Sequence, residues 1–79
     1  MAGRISGAGR MQMAVLARLT RARVASGKTQ EQIAAKVGVT RQAIAAWEAG
    51  ASLPNGSNLF LWAAALNLRI VVENEPTQP

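Results

Sequence analysis

Cysteine, histidine, aspartate and tyrosine are all absent from this chain of 79 residues. Their absence excludes disulfides, thiolate and imidazole chemistry, paired-aspartate mechanisms and nearly every common metal site. The only acids are four glutamates, which are scattered along the sequence at positions 31, 48, 73 and 75. We therefore expect a protein that is not an enzyme and that needs no cofactor or metal.

Long apolar runs are also absent. No stretch reaches the roughly twenty apolar residues that span a bilayer, and residues 1–10 lack the apolar centre of a secretory signal. We therefore expect a cytoplasmic protein without a membrane partner. A chain of this length forms one small domain, and such domains are often only marginally stable alone, which favours dimerisation.

Positive charge is concentrated in the first half of the chain. Residues 1–41 hold eight lysines and arginines against a single glutamate, a net charge of +7, whereas residues 42–79 hold one arginine against three glutamates, a net charge of −2. A basic half of this kind attracts a polyanion such as DNA, with a sequence-independent affinity that falls steeply as salt rises.

Residues 29–50, TQEQIAAKVGVTRQAIAAWEAG, carry the signals of two short helices that meet at a tight turn. Thr29 and Gln32 predict a capping box, and Thr40 predicts the N-cap of the second helix. Ala34 is small where the helices would touch, and Gly38 suits a helix end with positive φ. An ordinary helical hairpin is the alternative. The apolar positions that would face one core are Ile33, Val37, Val39, Ile44 and Trp47.

Helical periodicity predicts two further helices, over residues 11–25 and 58–66, the second capped by Ser57. The inward residues of the first helix are predicted to be Val15, Leu16, Leu19 and Val24. In the last helix Leu59, Trp62, Ala63 and Leu66 would close the core. That helix is apolar on more than one side, which favours a subunit interface at Phe60, Leu61 and Ala64.

The segment 68–73 alternates side chains in a pattern typical of a β-strand. A lone strand needs a partner, so the pattern predicts pairing with the same strand of a second subunit through Leu68, Ile70 and Val72, with a frayed extended tail as the alternative. Residues 74–79 are expected to be a disordered tail. Residues 1–10 are expected to be a flexible arm, which either enters the minor groove of DNA or is a disordered start or cloning remnant.

The motif resembles the Cro/CI (Xre) family of phage and bacterial repressors, whose run T-Q-x-x-[hydrophobic]-A, G-V-[ST], I-x-x-[hydrophobic]-E-x-G is matched within residues 29–50. The resemblance implies an all-α, lambda-repressor-like fold of four to five helices over residues 11–67. It also implies a homodimeric repressor that binds a palindromic double-stranded DNA operator. The additional strand is similar to HipB-like antitoxins, so an antitoxin that binds a toxin protein and regulates its own operon is the alternative function.

The resemblance further implies roles for particular residues. Arg41 and Gln42, at the start of the second helix of the motif, would read base edges, and Gln30 would contact a phosphate and brace the recognition helix. Arg23 and Glu48 would form a structural ion pair, unless they are two unpaired surface charges. For the loop before the last helix, plain capping is the alternative to phosphate contacts. The implied DNA-binding set is Thr29, Gln30, Thr40, Arg41, Gln42, Ala43, Ala46, Asn55, Ser57 and Asn58.

Overall fold

The computed structural model describes residues 7–74, and these form four helices joined by short loops. Helix α2 packs against both α3 and α4, and α1 packs against α3. The described part of the chain is therefore all-helical, as the sequence predicts for a small helix-turn-helix domain. The helices are α1 (Gly7–Ala25), α2 (Gln30–Val37), α3 (Arg41–Glu48) and α4 (Gly56–Ala65).

All four helices contribute side chains to one apolar core. Trp47 of α3 and Trp62 of α4 pack against each other in this core in a tilted arrangement, with ring centroids 5.6 Å apart and ring planes inclined by 39°. Leu59 and Leu66 of α4 are only partly buried and pack on the edge of this core. Its buried members are Leu16, Leu19, Ile33, Ala34, Val37, Ile44, Trp47, Trp62 and Ala63.

Helix α1 is longer than predicted, because it begins at Gly7 and not at residue 11. Residues 7–10 thus belong to the helix and not to a flexible arm, while residues 1–6 of the predicted arm lie outside the described residues. Alanine, arginine, methionine and glutamine in the first turns are good helix formers and offset the cost of two glycines. The prediction that Val24 points inward is wrong, since it is 62% exposed near the end of α1.

The start of α4 also differs from the prediction. The N-cap is Asn55, whose Oδ1 accepts a hydrogen bond of 2.8 Å from the backbone N–H of Asn58. Ser57 was expected to be the cap, but it is an exposed residue inside the first turn. Asparagine and serine cap helices about equally well, so composition alone did not separate the two positions.

The predicted strand over residues 68–73 is not present, and the segment has no regular secondary structure within the single chain described by residues 7–74. Asn67, with φ of 58°, turns the chain at the end of α4, and the N–H of Leu68 then donates to the carbonyl of Ala63 at 2.9 Å. Leu68 was expected in a subunit interface, but it is partly buried against its own core. No other extended segment of the described chain lies beside 68–73 to complete a ladder.

Candidate nucleic-acid interface

Helices α2 and α3 are joined by a turn of only three residues. Gly38 adopts φ of 87°, a left-handed conformation that ends α2, and the N–H groups of Gly38 and Val39 both donate to the carbonyl of Ala34 at 2.8 and 3.0 Å. Ala34 is only 3% exposed, so a small side chain is needed where the turn folds back on α2. This turn sets the angle between α2 and α3.

Both helices of the motif begin with a threonine cap. The Thr29 hydroxyl accepts from the N–H of Gln32 at 3.0 Å, and the N–H of Thr29 donates back to the Gln32 side chain at 2.8 Å, which completes the capping box. The Thr40 hydroxyl accepts from the N–H of Ala43 at 3.1 Å. Each hydroxyl keeps its own proton, so it can still donate a hydrogen bond to an anion outside the protein.

Helix α3 presents its first two residues to solvent. Arg41 and Gln42 are exposed, whereas Ile44 and Trp47 are buried and hold the opposite face of the helix in the core. Ala43 is half-buried and packs partly against the core, so its methyl group offers less surface than the sequence suggested. The side chains available for specific hydrogen bonds therefore stand at the N-terminus of α3.

An ion pair ties the end of α1 to the end of α3. Arg23 donates from Nε to Glu48 Oε2 at 2.6 Å and from Nη2 to Glu48 Oε1 at 3.0 Å, and its Nη1 donates to the carbonyl of Lys28 at 2.8 Å. The side chains are only 15% and 7% exposed, respectively. Hydrogen bonding to the Glu48 carboxylate raises the pKa of Arg23 above its ordinary value, against the opposing effect of burial. The bidentate geometry makes this pair more rigid than a typical surface salt bridge.

The same carboxylate also orients the side chain that reaches α3. Gln30 donates from Nε2 to Glu48 Oε1 at 3.0 Å, and Gln30 Oε1 accepts from Arg41 Nη1 at 3.3 Å. A carboxylate can only accept, so Gln30 must turn its NH₂ group toward Glu48 and its carbonyl toward Arg41. The bracing contact of Gln30 is the one that the resemblance implies. Its link to Glu48 was not foreseen, because no local spacing signals a contact across eighteen residues.

The cleft around the start of α2 is predominantly basic. Arg23, Lys28 and Arg41 border it together with Glu31. The N-terminus of α2, with its partial positive charge, opens at the same place next to Thr29 and Gln30. An arrangement of basic side chains around exposed helix N–H groups favours a phosphate.

The loop residues proposed to contact phosphates have different environments. Asn55 uses its side-chain oxygen to cap α4, which is the role that the sequence left as the alternative. Ser57 is exposed and Asn58 is half-buried in the first turn of the same helix. Only Ser57 has an accessible side chain without a capping role among these three.

Two helices at a tight turn, with a polar and basic N-terminus on the second, define a helix-turn-helix DNA-binding domain. The profile of the HTH_3 family, described as helix-turn-helix, matches residues 19–72, well over half of the chain. The protein belongs to this family, the Xre type of helix-turn-helix, and it is a DNA-binding regulator of transcription. No curated protein and no solved structure matches the chain.

Among residues 7–74, no helix has both the length and the apolar character needed to cross a bilayer. The longest helix, α1, carries Arg10, Arg18, Arg21 and Arg23 within its nineteen residues.

Proposed function

We propose that this protein is a repressor that binds a palindromic operator as a homodimer and blocks transcription, including that of its own gene. The observation that supports it best is the placement of Arg41 and Gln42, exposed at the N-terminus of α3 on a braced scaffold. In this mode α3 lies in the major groove, and two subunits reach half-sites about 34–36 Å apart.

Base choice would rest mainly on two side chains. The guanidinium of Arg41 can donate to guanine O6 and N7 together, and the amide of Gln42 can do the equivalent with adenine N6 and N7, each for about 1–3 kcal/mol of discrimination. The bond from Arg41 to Gln30 engages one of its five N–H donors, so the others are available to a base. Ala43 and Ala46 are half-buried and would contact a thymine methyl or sense groove shape.

Contacts to the DNA backbone would position this reader without specifying sequence. The free N–H groups at the start of α2, with Thr29 and Gln30, are suited to one phosphate. Ser57 and Asn58, at the start of α4, are suited to another phosphate. Asn55 would contribute only its side-chain NH₂ group, because its Oδ1 caps α4.

The homodimer would use the apolar surface that a single chain leaves exposed. On α4, Phe60 is 59% and Leu61 is 47% exposed, and Ala64 beside them is also exposed. In the tail, Ile70 is 37% and Val72 is 95% exposed. Exposed apolar side chains of this kind are typical of an interface, and a two-fold axis would bury the same residues on both subunits.

Selection of bound sequences from a random DNA pool tests this function directly. We expect enrichment of an inverted repeat whose half-site centres lie about one helical turn apart. The matched control is the variant with Arg41→Ala and Gln42→Ala, which keeps the buried face of α3 and should enrich no defined repeat. Enrichment of a single, unrepeated site would contradict a dimeric reader, and enrichment of nothing by the native chain would contradict sequence-specific binding.

An antitoxin is the second candidate, because the exposed α4 face could bind a toxin instead of a second subunit. The neighbouring gene separates the two. A kinase-like or nuclease-like product that is neutralised on co-expression with this chain, but not with its Phe60→Lys variant, would favour the antitoxin. If the native chain fails to neutralise that product, the antitoxin function is contradicted and the repressor function is retained.

A further inference from the structure

The tail and α1 enclose a groove with an apolar floor and basic edges, here called the α1–tail groove. Its edges carry Arg18 and Arg69, and no acidic side chain lines it. Val72 directly follows the tail residues that line this groove, and it is 95% exposed. The apolar floor and the two arginines thus suit a bound segment of apolar residues that is followed by an acidic residue. Its lining residues are Ala14, Val15, Arg18, Leu19, Ala63, Leu68, Arg69, Ile70 and Val71.

The tail itself is a segment of that chemistry, since it reads Ile-Val-Val-Glu over residues 70–73. Arg69 and Glu73 are both exposed, and within residues 7–74 neither makes an ion pair with another side chain. In a β-strand they would point to the same side but lie about 13 Å apart, four residues at roughly 3.3 Å each, which is too far for a salt bridge. Within one extended tail the two charges therefore cannot pair with each other, whereas the same two residues of a second copy can lie opposite them.

Two-fold symmetry restricts how two such strands can pair. In an antiparallel pair, residues directly opposite each other point to the same face of the sheet. A two-fold axis that relates the two strands is perpendicular to the sheet and leaves each face unchanged. The register must then be centred on a residue, which for this segment is Ile70, Val71 or Val72. A register shifted by one residue is excluded, because it would set side chains that point to different faces of the sheet opposite each other.

Only the register centred on Val71 matches both charge and hydropathy. It places Arg69 opposite Glu73 twice, by symmetry, and Ile70 opposite Val72. Centring on Ile70 leaves Arg69 opposite Val71. Centring on Val72 leaves Glu73 opposite Val71, and it sets Ile70 opposite an asparagine.

We propose that the tails of two copies form an antiparallel strand pair centred on Val71, in which Arg69 of each copy meets Glu73 of the other. Val72 of the second copy then lies opposite Ile70 and enters the α1–tail groove, and Arg18 adds positive charge at its edge. This pairing rests on the homodimer of the proposed function and specifies how that dimer forms. Opposite-charge and apolar cross-strand pairs are the contacts that set register in such a sheet.

Disulfide trapping tests the register, and the native chain has no cysteine that could interfere. The full chain is prepared as three variants, Val71→Cys, Ile70→Cys and Val72→Cys, and each is oxidised mildly. We expect Val71→Cys to become mostly a covalent dimer, because the two Cβ atoms lie directly across the axis. In the other two variants like residues are diagonal, about 7–8 Å apart, which is beyond easy disulfide reach.

Each outcome has a distinct meaning when sedimentation of the reduced protein is measured alongside. Fastest cross-linking at position 70 or 72 overturns the register. A reduced protein that sediments as a dimer but cross-links at none of the three positions overturns strand pairing and leaves the dimeric repressor intact. A native chain that is monomeric even on its selected operator overturns the homodimer, and the pairing with it.

Charge exchange tests the Arg69 and Glu73 contacts independently. We expect Arg69→Glu and Glu73→Arg each to weaken the dimer roughly ten-fold, because each sets like charges opposite one another twice. Mixing the two variants should restore a heterodimer of native affinity. Lys36→Glu and Glu31→Arg, which make the same charge changes on exposed positions of α2, are the controls and should change dimerisation little. A mixture that remains as weak as its components overturns the contact.

Discussion

At the residue scale, four side chains form one continuous set of hydrogen bonds. Arg23 and Gln30 both donate to Glu48 Oε1, and Gln30 in turn accepts from Arg41. One acidic residue thereby holds together the end of α1, the start of α2 and the end of α3. Arg41, the residue proposed to read a base, is the outermost member of this set.

Replacing Arg41 by alanine should separate base reading from general attraction to DNA. We expect the selected operator to lose about 5- to 150-fold in affinity, the equivalent of a lost bidentate contact, while random DNA loses much less. Competition gel shifts with both DNAs measure the two effects, and Arg21→Ala, which removes one exposed charge from α1, is the control. Equal losses on both DNAs would remove Arg41 from the base readers.

Replacing Glu48 by glutamine should destabilise the domain. The guanidinium of Arg23 would remain mostly buried without its carboxylate, at a cost of about 2–4 kcal/mol in the free energy of unfolding. Urea unfolding followed by the fluorescence of the buried Trp47 and Trp62 measures it. Glu31→Gln, at an exposed position, should cost less than about 1 kcal/mol. An unchanged midpoint for Glu48→Gln would show that the ion pair contributes nothing net.

At the element scale, the turn between α2 and α3 depends on one backbone conformation. Gly38 is left-handed, and a Cβ added there would meet no atom within 4 Å. The requirement for glycine is therefore conformational and not steric crowding from neighbours. A threonine is the N-cap of each helix, Thr29 for α2 and Thr40 for α3, and these caps define where the two helices begin.

Replacing Gly38 by alanine should cost about 1–2 kcal/mol of stability, because an L-residue is strained at positive φ. Gly56 offers a matched control, since it lies in the first turn of α4 at negative φ and its added Cβ also meets nothing within 4 Å. Gly56→Ala should leave stability unchanged or raise it by up to about 1 kcal/mol. Thermal unfolding of both variants measures the difference, and equal destabilisation would refute the conformational explanation.

At the scale of the whole molecule, the domain has one face suited to DNA and other surfaces that a monomer leaves uncovered. The basic cleft and the start of α3 lie on the first. Phe60 and Leu61 of α4 and the apolar tail residues belong to the second. Because few side chains are available to read bases, two linked copies would multiply specificity as well as affinity.

Replacing Phe60 by lysine should yield a folded but more weakly dimeric protein, because the side chain is exposed in the single chain. We expect native helical circular dichroism, a shift toward monomer in sedimentation, and poorer affinity for a two-half-site operator. Met13→Lys is the control, since Met13 is also an exposed apolar residue, 57% exposed, but lies on α1 and does not line the basic cleft. Equal sedimentation of both variants would exclude the α4 face from the interface.

The sequence by itself determined the local features of this protein. The threonine caps, the left-handed glycine and the apolar positions of α2 and α3 are set by the conformational preferences of neighbouring residues, and they were predictable for that reason. The first residue of α1 and the N-cap of α4 were not, because several residues there fit a helix boundary equally well. The tail is a special case, since its strand pattern has no partner within the described chain.

Only the tertiary structure decided which distant side chains meet. Glu48 and Gln30 are eighteen residues apart, and their bond exists because the turn at Gly38 folds α3 back across the start of α2. The same packing buries half of Ala43 and exposes Arg41, which the helical pattern alone did not distinguish. Conformational preferences act over a few residues, whereas contacts between helices depend on the whole arrangement of the core, and that arrangement determines which side chains are left to meet DNA.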